Sequence, residues 1–149
     1  MKSNFLQQVK LASDVTNTLA AIPPQSADGT AVAGIAIDRR GADSALIIFD
    51  AAAASGAPSA AVTAIKLQDC DVTTAGSFGD FIDLESALDV STAKHKAYQV
   101  DLTGANRYIR VSYDSTLTAG TSPANVIAAN VVLGDFAVDP PESVTVLQG

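Results

Sequence analysis

The chain has no tryptophan, one histidine, one methionine and one cysteine among its 149 residues, and only 9 Lys and Arg against 16 Asp and Glu. Each scarcity excludes something. A lone Cys70 allows no intrachain disulfide and no cysteine metal cluster. A net charge of −7 opposes binding to a phosphate backbone, which needs clustered cations to release counterions, and an anionic membrane surface repels it for the same reason. Aromatics are 5% of the chain, so the core must be filled by Val, Ile, Leu and Ala, and the aromatic platforms of a sugar site are in short supply. No apolar run is long enough for a signal peptide or a membrane span, so the expectation is a chain made in the cytoplasm, with no membrane partner. There is no P-loop, no glycine-rich dinucleotide loop and no nucleophile elbow.

What is present reads as one β-rich domain. Hydrophobic residues are 48% and charged ones 17%, which argues against disorder. A chain of this length buries about 70% of the surface its unfolded form exposes. Helix-period patterns are nearly absent. Short apolar or alternating runs recur instead between Gly, Pro, Asp and Ser: residues 30–38, TAVAGIAID; 45–51, ALIIFDA; 61–69, AVTAIKLQD; and then 98–102, 107–113 and 126–133. Strands at this spacing predict an all-β fold, an antiparallel β-sandwich of jelly-roll type with extended N- and C-terminal arms. The boundaries follow from punctuation. Residues 1–29, with IPPQSADGT, read as an arm, 30–139 as the sandwich, and 140–149, after Pro140 and Pro141, as a tail strand. Its alternating Val144 and Val146 suit pairing with a neighbouring chain or with the home sheet.

A repeat sits inside the sandwich. Residues 37–48, IDRRGADSALII, and 100–111, VDLTGANRYIRV, share the pattern [IV]-D-x-x-G-A-[DN]-x-x-[LI]-x-[IV]. Asp38 and Asp101 suit Asx turns, and Gly41 and Gly104 supply a positive φ. This predicts a pseudo-symmetric sandwich with one copy in each half. In the first copy Leu46 and Ile48 should face the core, and in the second Ile109 and Val111. The second copy then turns Tyr108 and Arg110 to the other face with Arg107 near the turn exit. Arg and Tyr together are enriched at interface hot spots, so these three, with Val144 and Val146, are the candidate partner-binding residues. The competing reading is a solvated sheet face whose Arg110 pairs across strands.

Catalytic chemistry finds little to stand on. His95 lies between Lys94 and Lys96 in what reads as a polar loop. Cys70 lies between Asp69 and Asp71, a poor setting for a thiolate nucleophile. Asp69, Asp71, Asp80, Asp83, Glu85 and Asp89 form an acidic stretch whose oxygens suit Ca²⁺, yet the spacing is not that of an EF-hand. A solvated acidic loop is the plainer expectation. No catalytic residue, no metal site and no cofactor is therefore expected, and the chain reads as a non-enzyme.

In order along the chain, IDRRGADSALIIFDA, TAIKLQDCDVTTAGSFGDF, KAYQVDLTGANRYIRVSYDS and VIAANVVLGD resemble a group of small tailed-bacteriophage virion proteins. In that group a D-x-x-G-x-x-S strand leads through K-L-Q-x-S/C-D to G-x-x-R-Y-I/V-R-V and a closing V-V-L-G. The resemblance covers residues 33–135, and RYIRV with VVLG is its most specific part. It implies a head-associated β-sandwich that decorates or cements a capsid. The partners would be the major capsid protein and further copies of the chain, as a dimer or trimer, and the location the capsid surface of the virion. Two other classes compete: a head–tail connector, tail or baseplate protein, and a carbohydrate-binding β-sandwich module. The terminal segments match nothing in the group.

Overall fold

The computed structural model describes residues 31–136 and the backbone of 9–11 and 22–27. The strands are β1 (Val9–Leu11), β2 (Ile22–Ala27), β3 (Val32–Ala33), β4 (Ile37–Asp38), β5 (Ala42–Ala51), β6 (Ala60–Cys70), β7 (Gly79–Asp89), β8 (Lys94–Asp101), β9 (Tyr108–Thr118) and β10 (Asn125–Phe136), with one 3₁₀ turn at Ala75–Ser77. They form two antiparallel sheets. In sheet A, β1 and β2 share the outer side of β10, followed by β5 and β8. In sheet B, β3 and β4 share the outer side of β9, followed by β6 and β7.

Each sheet thus has a split edge and three long strands. Numbering the split edges as single positions, the eight positions pair first with last, second with seventh, third with sixth and fourth with fifth. That is the winding of a jelly roll, and the expected all-β antiparallel sandwich is what the chain forms. Segment 1–29, expected as an arm outside the sandwich, contributes β1 and β2 to sheet A. Pro23 and Pro24 fall inside β2 where its ladder to β10 is interrupted, between the Gln25–Ile127 and Ile22–Ala129 pairs, so neither is asked for the N–H it lacks.

The core lies between the sheets. Ile47 and Phe49 of β5, Ile65 and Leu67 of β6, Ile109, Val111 and Tyr113 of β9, and Ile127, Val131 and Leu133 of β10 are all buried. Phe49 meets Tyr113 edge-on, with ring centroids 6.2 Å apart at 74°. Thr63 and Ser115, adjacent across β6 and β9 and fully buried, satisfy each other through a 2.9 Å hydrogen bond. No helix among the described residues is long and apolar enough to cross a membrane.

Three expectations need correction. The repeats do not occupy separate halves. The first carries the chain from sheet B (β4) to sheet A (β5), and the second returns it from sheet A (β8) to sheet B (β9). Because β4 pairs with β9 and β5 with β8, the winding sets the two crossings side by side. Their turns match closely: φ is 84° at Gly41 and 85° at Gly104. Asp38 Oδ1 accepts the Arg40 N–H at 3.0 Å, and Asp101 Oδ1 the Thr103 N–H at 2.8 Å.

The second correction concerns the strands leaving those turns. Ile109 and Val111 do face the core, but Leu46 and Ile48 are 39% and 37% exposed, and Ala45, Ile47 and Phe49 point inward instead. From the buried alanine after the glycine, the next inward residue is three positions on in the first copy (Ala42 to Ala45) and four in the second (Ala105 to Ile109). With a side-chain period of two, that one-residue difference flips the whole strand. The third correction is that residues 79–89 are strand, not acidic loop. β7 shifts register against β6 at three places, which breaks the alternation that would reveal it.

Candidate functional site

The strand singled out by its arginines is β9. Arg107, just before it, makes a two-pronged contact with the Asp38 carboxylate: Nη2 donates to Oδ2 at 2.8 Å and Nε to the same oxygen at 3.2 Å. Its guanidinium also lies over the Tyr108 ring, 4.9 Å from the centroid. Arg39 reinforces the joint from the other copy. It donates to the carbonyls of Asn106 (2.8 Å), Ala42 (2.9 Å) and Ala105, so one guanidinium ties both crossing turns together. Asp69 adds a carboxylate oxygen 2.6 Å from the Asn106 N–H. These charges hold the crossing.

Arg110 faces outward on sheet B. Its Nε donates to Gln68 Oε1 at 2.8 Å and its guanidinium covers the Phe78 ring at 4.3 Å. Partial burial there lowers its pKa, while proximity to Cys70 works the other way. From Gln68 the contacts continue: Gln68 Nε2 donates to Asp80 at 2.7 Å, Lys66 Nζ lies 2.5 Å from the same carboxylate, and Asp83 is 3.7 Å from Lys66. The Gln68 hydrogen bond, then Lys66, holds the Asp80 carboxyl below its ordinary value, and Asp80 in turn raises Lys66. Sheet B therefore presents a face whose charges are largely spent on one another. Of the candidate partner-binding residues, Arg107, Tyr108 and Arg110 all have contacts within the chain, whereas Val144 and Val146 lie outside the described residues.

The acidic stretch is likewise dispersed. Asp80 and Asp83 meet Lys66, Glu85 meets Lys96 at 3.9 Å, and Asp89 accepts the Ser91 N–H at 2.8 Å. Among the described residues no three His, Cys, Asp or Glu side chains converge as a metal site. Glu85 also receives the Tyr98 hydroxyl at 3.5 Å. Burial first, and Glu85 second, pushes the Tyr98 pKa up to about 12. His95, expected in a loop, lies on β8, with Nδ1 2.5 Å from Asp50 Oδ1 on the outer face of sheet A. Cys70 is buried at the end of β6 in the other sheet, so the two do not form a nucleophile–base pair.

The outer face of sheet A is of another kind. Leu46 and Ile48 project from β5. Val132 and Asn130 stand opposite them on β10, and Gln99 and Ala97 on β8. Val126 is 47% exposed on the same side of β10. Apart from Asp50, His95 and Asp101 this surface is apolar or uncharged, and sequence periodicity hid it by assigning Leu46 and Ile48 to the core.

No protein-family model matches the chain, and no curated protein does. Among solved structures it is similar to the PBSX exported protein XepA, at 16% identity and a TM-score of 0.49, with 99% of this chain and 44% of XepA covered. The chain thus spans less than half the length of XepA. It is also similar to the N-terminal cellulose-binding domain of Cellulomonas fimi β-1,4-glucanase C, at 16% identity and a TM-score of 0.42, covering 89% of this chain and 90% of that domain.

Proposed function

We propose that the protein is a non-catalytic structural component of a tailed-phage virion that docks on the outside of the capsid and cements neighbouring subunits. The observation that carries this reading is the contrast between its two outer faces. Sheet B spends its charges internally, while sheet A offers exposed Leu46, Ile48 and Val126 on a molecule of net charge −7. An apolar face on an acidic body suits a protein partner better than nucleic acid or an anionic membrane. The likeness of the RYIRV and VVLG strands to those of virion proteins supports the major capsid protein as the partner, with further copies of the chain beside it. Cementing then works by mass action, because a ligand that binds the assembled shell and not its parts stabilises the shell.

The described tyrosines argue against a sugar site. Tyr113 is buried, Tyr98 is half-buried against Glu85, and Tyr108 lies under Arg107. Quantitative mass spectrometry of purified particles tests the proposal. Copies comparable in number to the major shell protein are expected. A ring's worth of copies would move the protein to the connector or tail, and absence from particles would overturn the virion reading. Within particles, replacing both Leu46 and Ile48 by Asp should leave the fold intact and abolish incorporation.

A further inference from the structure

Sheet A ends on β8, whose outer side pairs with no described residue. The Leu102 N–H donates to the Asp43 carbonyl at 2.9 Å. Carried back along an antiparallel ladder, this phase turns the backbone groups of even-numbered β8 residues toward β5. Those of His95, Ala97, Gln99 and Asp101 then face outward. The side chains on this edge are sorted by sign. Lys94 and Lys96, the latter 3.9 Å from Glu85, occupy one end and Asp101 the other, where Asp43, Ser44, Gln99, Val100 and Asp101 line a shallow groove. Neither Asp43 nor Asp101 has an ion-pair partner among the described residues. Hydrogen bonds from Thr103 keep the Asp101 carboxyl below its ordinary range, so it carries charge at neutral pH.

The neighbouring free edge, β7, is built differently. Its ladder to β6 shifts register three times, and its ionisable side chains, Asp80, Asp83, Glu85 and Asp89, are all acidic. Bulges and charged side chains protect an edge, and charges all of one sign repel a second copy of the same strand. β8 has no bulge, and its charges do not all repel their own copies. It runs in unbroken register from Ser44–Asp101 to Ala51–Lys94, with charge of both signs.

We propose that β8 pairs with β8 of a second copy of this chain, antiparallel about a two-fold axis at Tyr98, joining sheet A across the two molecules. Antiparallel pairing reverses one strand, so the cationic end of each copy meets the acidic end of the other. With Tyr98 opposite Tyr98, Ala97 faces Gln99 and His95 faces Asp101. Lys94 falls opposite Leu102, beside which Asp43 lies. The outward backbone groups of residues 95, 97, 99 and 101 find partners in the same register. A two-fold contact closes on itself, giving a dimer rather than a fibre. The pairing concerns the chain by itself and stands whether or not the capsid is the partner.

Sedimentation equilibrium of the full chain tests it. The wild type should be a dimer that weakens as salt is added. Ala97→Pro removes an outward N–H while leaving the ladder to β5, and should give a folded monomer. Lys94→Glu and Asp43→Lys should each weaken the dimer about tenfold or more by setting like charges together. An equimolar mixture of these two variants should regain wild-type affinity, because both charge contacts are then restored. A wild type that stays monomeric at its highest soluble concentration would overturn the proposal. So would an Ala97→Pro dimer as tight as wild type, or a mixture no tighter than its components.

Discussion

Glycine at three positions answers two different local demands. A Cβ on Gly56 would lie 2.5 Å from the Thr121 carbonyl oxygen, and one on Gly120 would lie 2.5 Å from the Gly56 carbonyl oxygen. The two loops at this end of the sandwich therefore interlock backbone to backbone, tied by the Thr121 N–H to Gly56 carbonyl bond of 2.9 Å. At Gly104 the φ of +85° is equally left-handed, but nothing lies within 4 Å of the Cβ position. Alanine at Gly104 should thus cost only the left-handed penalty, about 1 kcal/mol. At Gly56 or Gly120 it should cost roughly 2 kcal/mol or more, since backbone must also move. Urea unfolding of the three variants would rank them. Conversely, Ala119 holds φ at 57°. Ala119→Gly should gain about 0.5 kcal/mol, the relieved strain exceeding the added freedom of the unfolded chain.

Among the elements, β5 and the crossing turns make the sharpest claims. Ile47 is fully buried and Ile48 is 37% exposed, one residue apart. Ile47→Asp should unfold the domain by placing a charge in the core, a cost of several kcal/mol. Ile48→Asp should leave the melting temperature within a few degrees, and a thermal melt of each separates the two phases of the strand. Arg39 binds three carbonyls drawn from both crossings. Arg39→Ala should cost about 2 kcal/mol, the worth of hydrogen bonds to a charged group. Arg39→Lys should recover only part of that, because a single ammonium lacks the planar fork that reaches all three.

For the molecule as a whole, pH acts at both extremes. Tyr98 has a folded pKa of about 12 against an ordinary 10.0. A raised pKa means that the folded state keeps its proton where the unfolded chain has lost it. The contribution is therefore complete below pH 10 and is lost as pH climbs toward about 12. Denaturant midpoints should fall across that window, and Tyr98→Phe should flatten the fall. Asp80, Asp89 and Asp101 shift the opposite way, held down by Gln68 and Lys66, by Ser91 and by Thr103. Their contribution is present above the ordinary 3.8 and disappears as acid protonates the folded state. Acid titration of Asp101→Asn, which loses one of these charges, should show a shallower decline than wild type.

The sequence by itself determined the β-rich class, the two Asx–Gly turns and the inward face of β9, because these rest on local chemistry: a carboxylate reaching two residues on, a glycine at positive φ, and clean alternation through Ile109, Val111 and Tyr113. The scarcity of cations and of aromatics likewise follows from composition alone. Tertiary structure decided the rest. It alone shows that the repeats are neighbouring crossings, since that follows from which strands pair across the winding. β7 stayed hidden because its bulges destroy the period of two. The apolar outer face of sheet A and the inward face of β5 were misread together, since one extra residue after the second turn inverts a strand whose two faces are both apolar. For the arginines, sequence indicated an exposed charged strand. Only the fold brought Asp38 to Arg107 and Gln68 to Arg110, across 69 and 42 residues of chain.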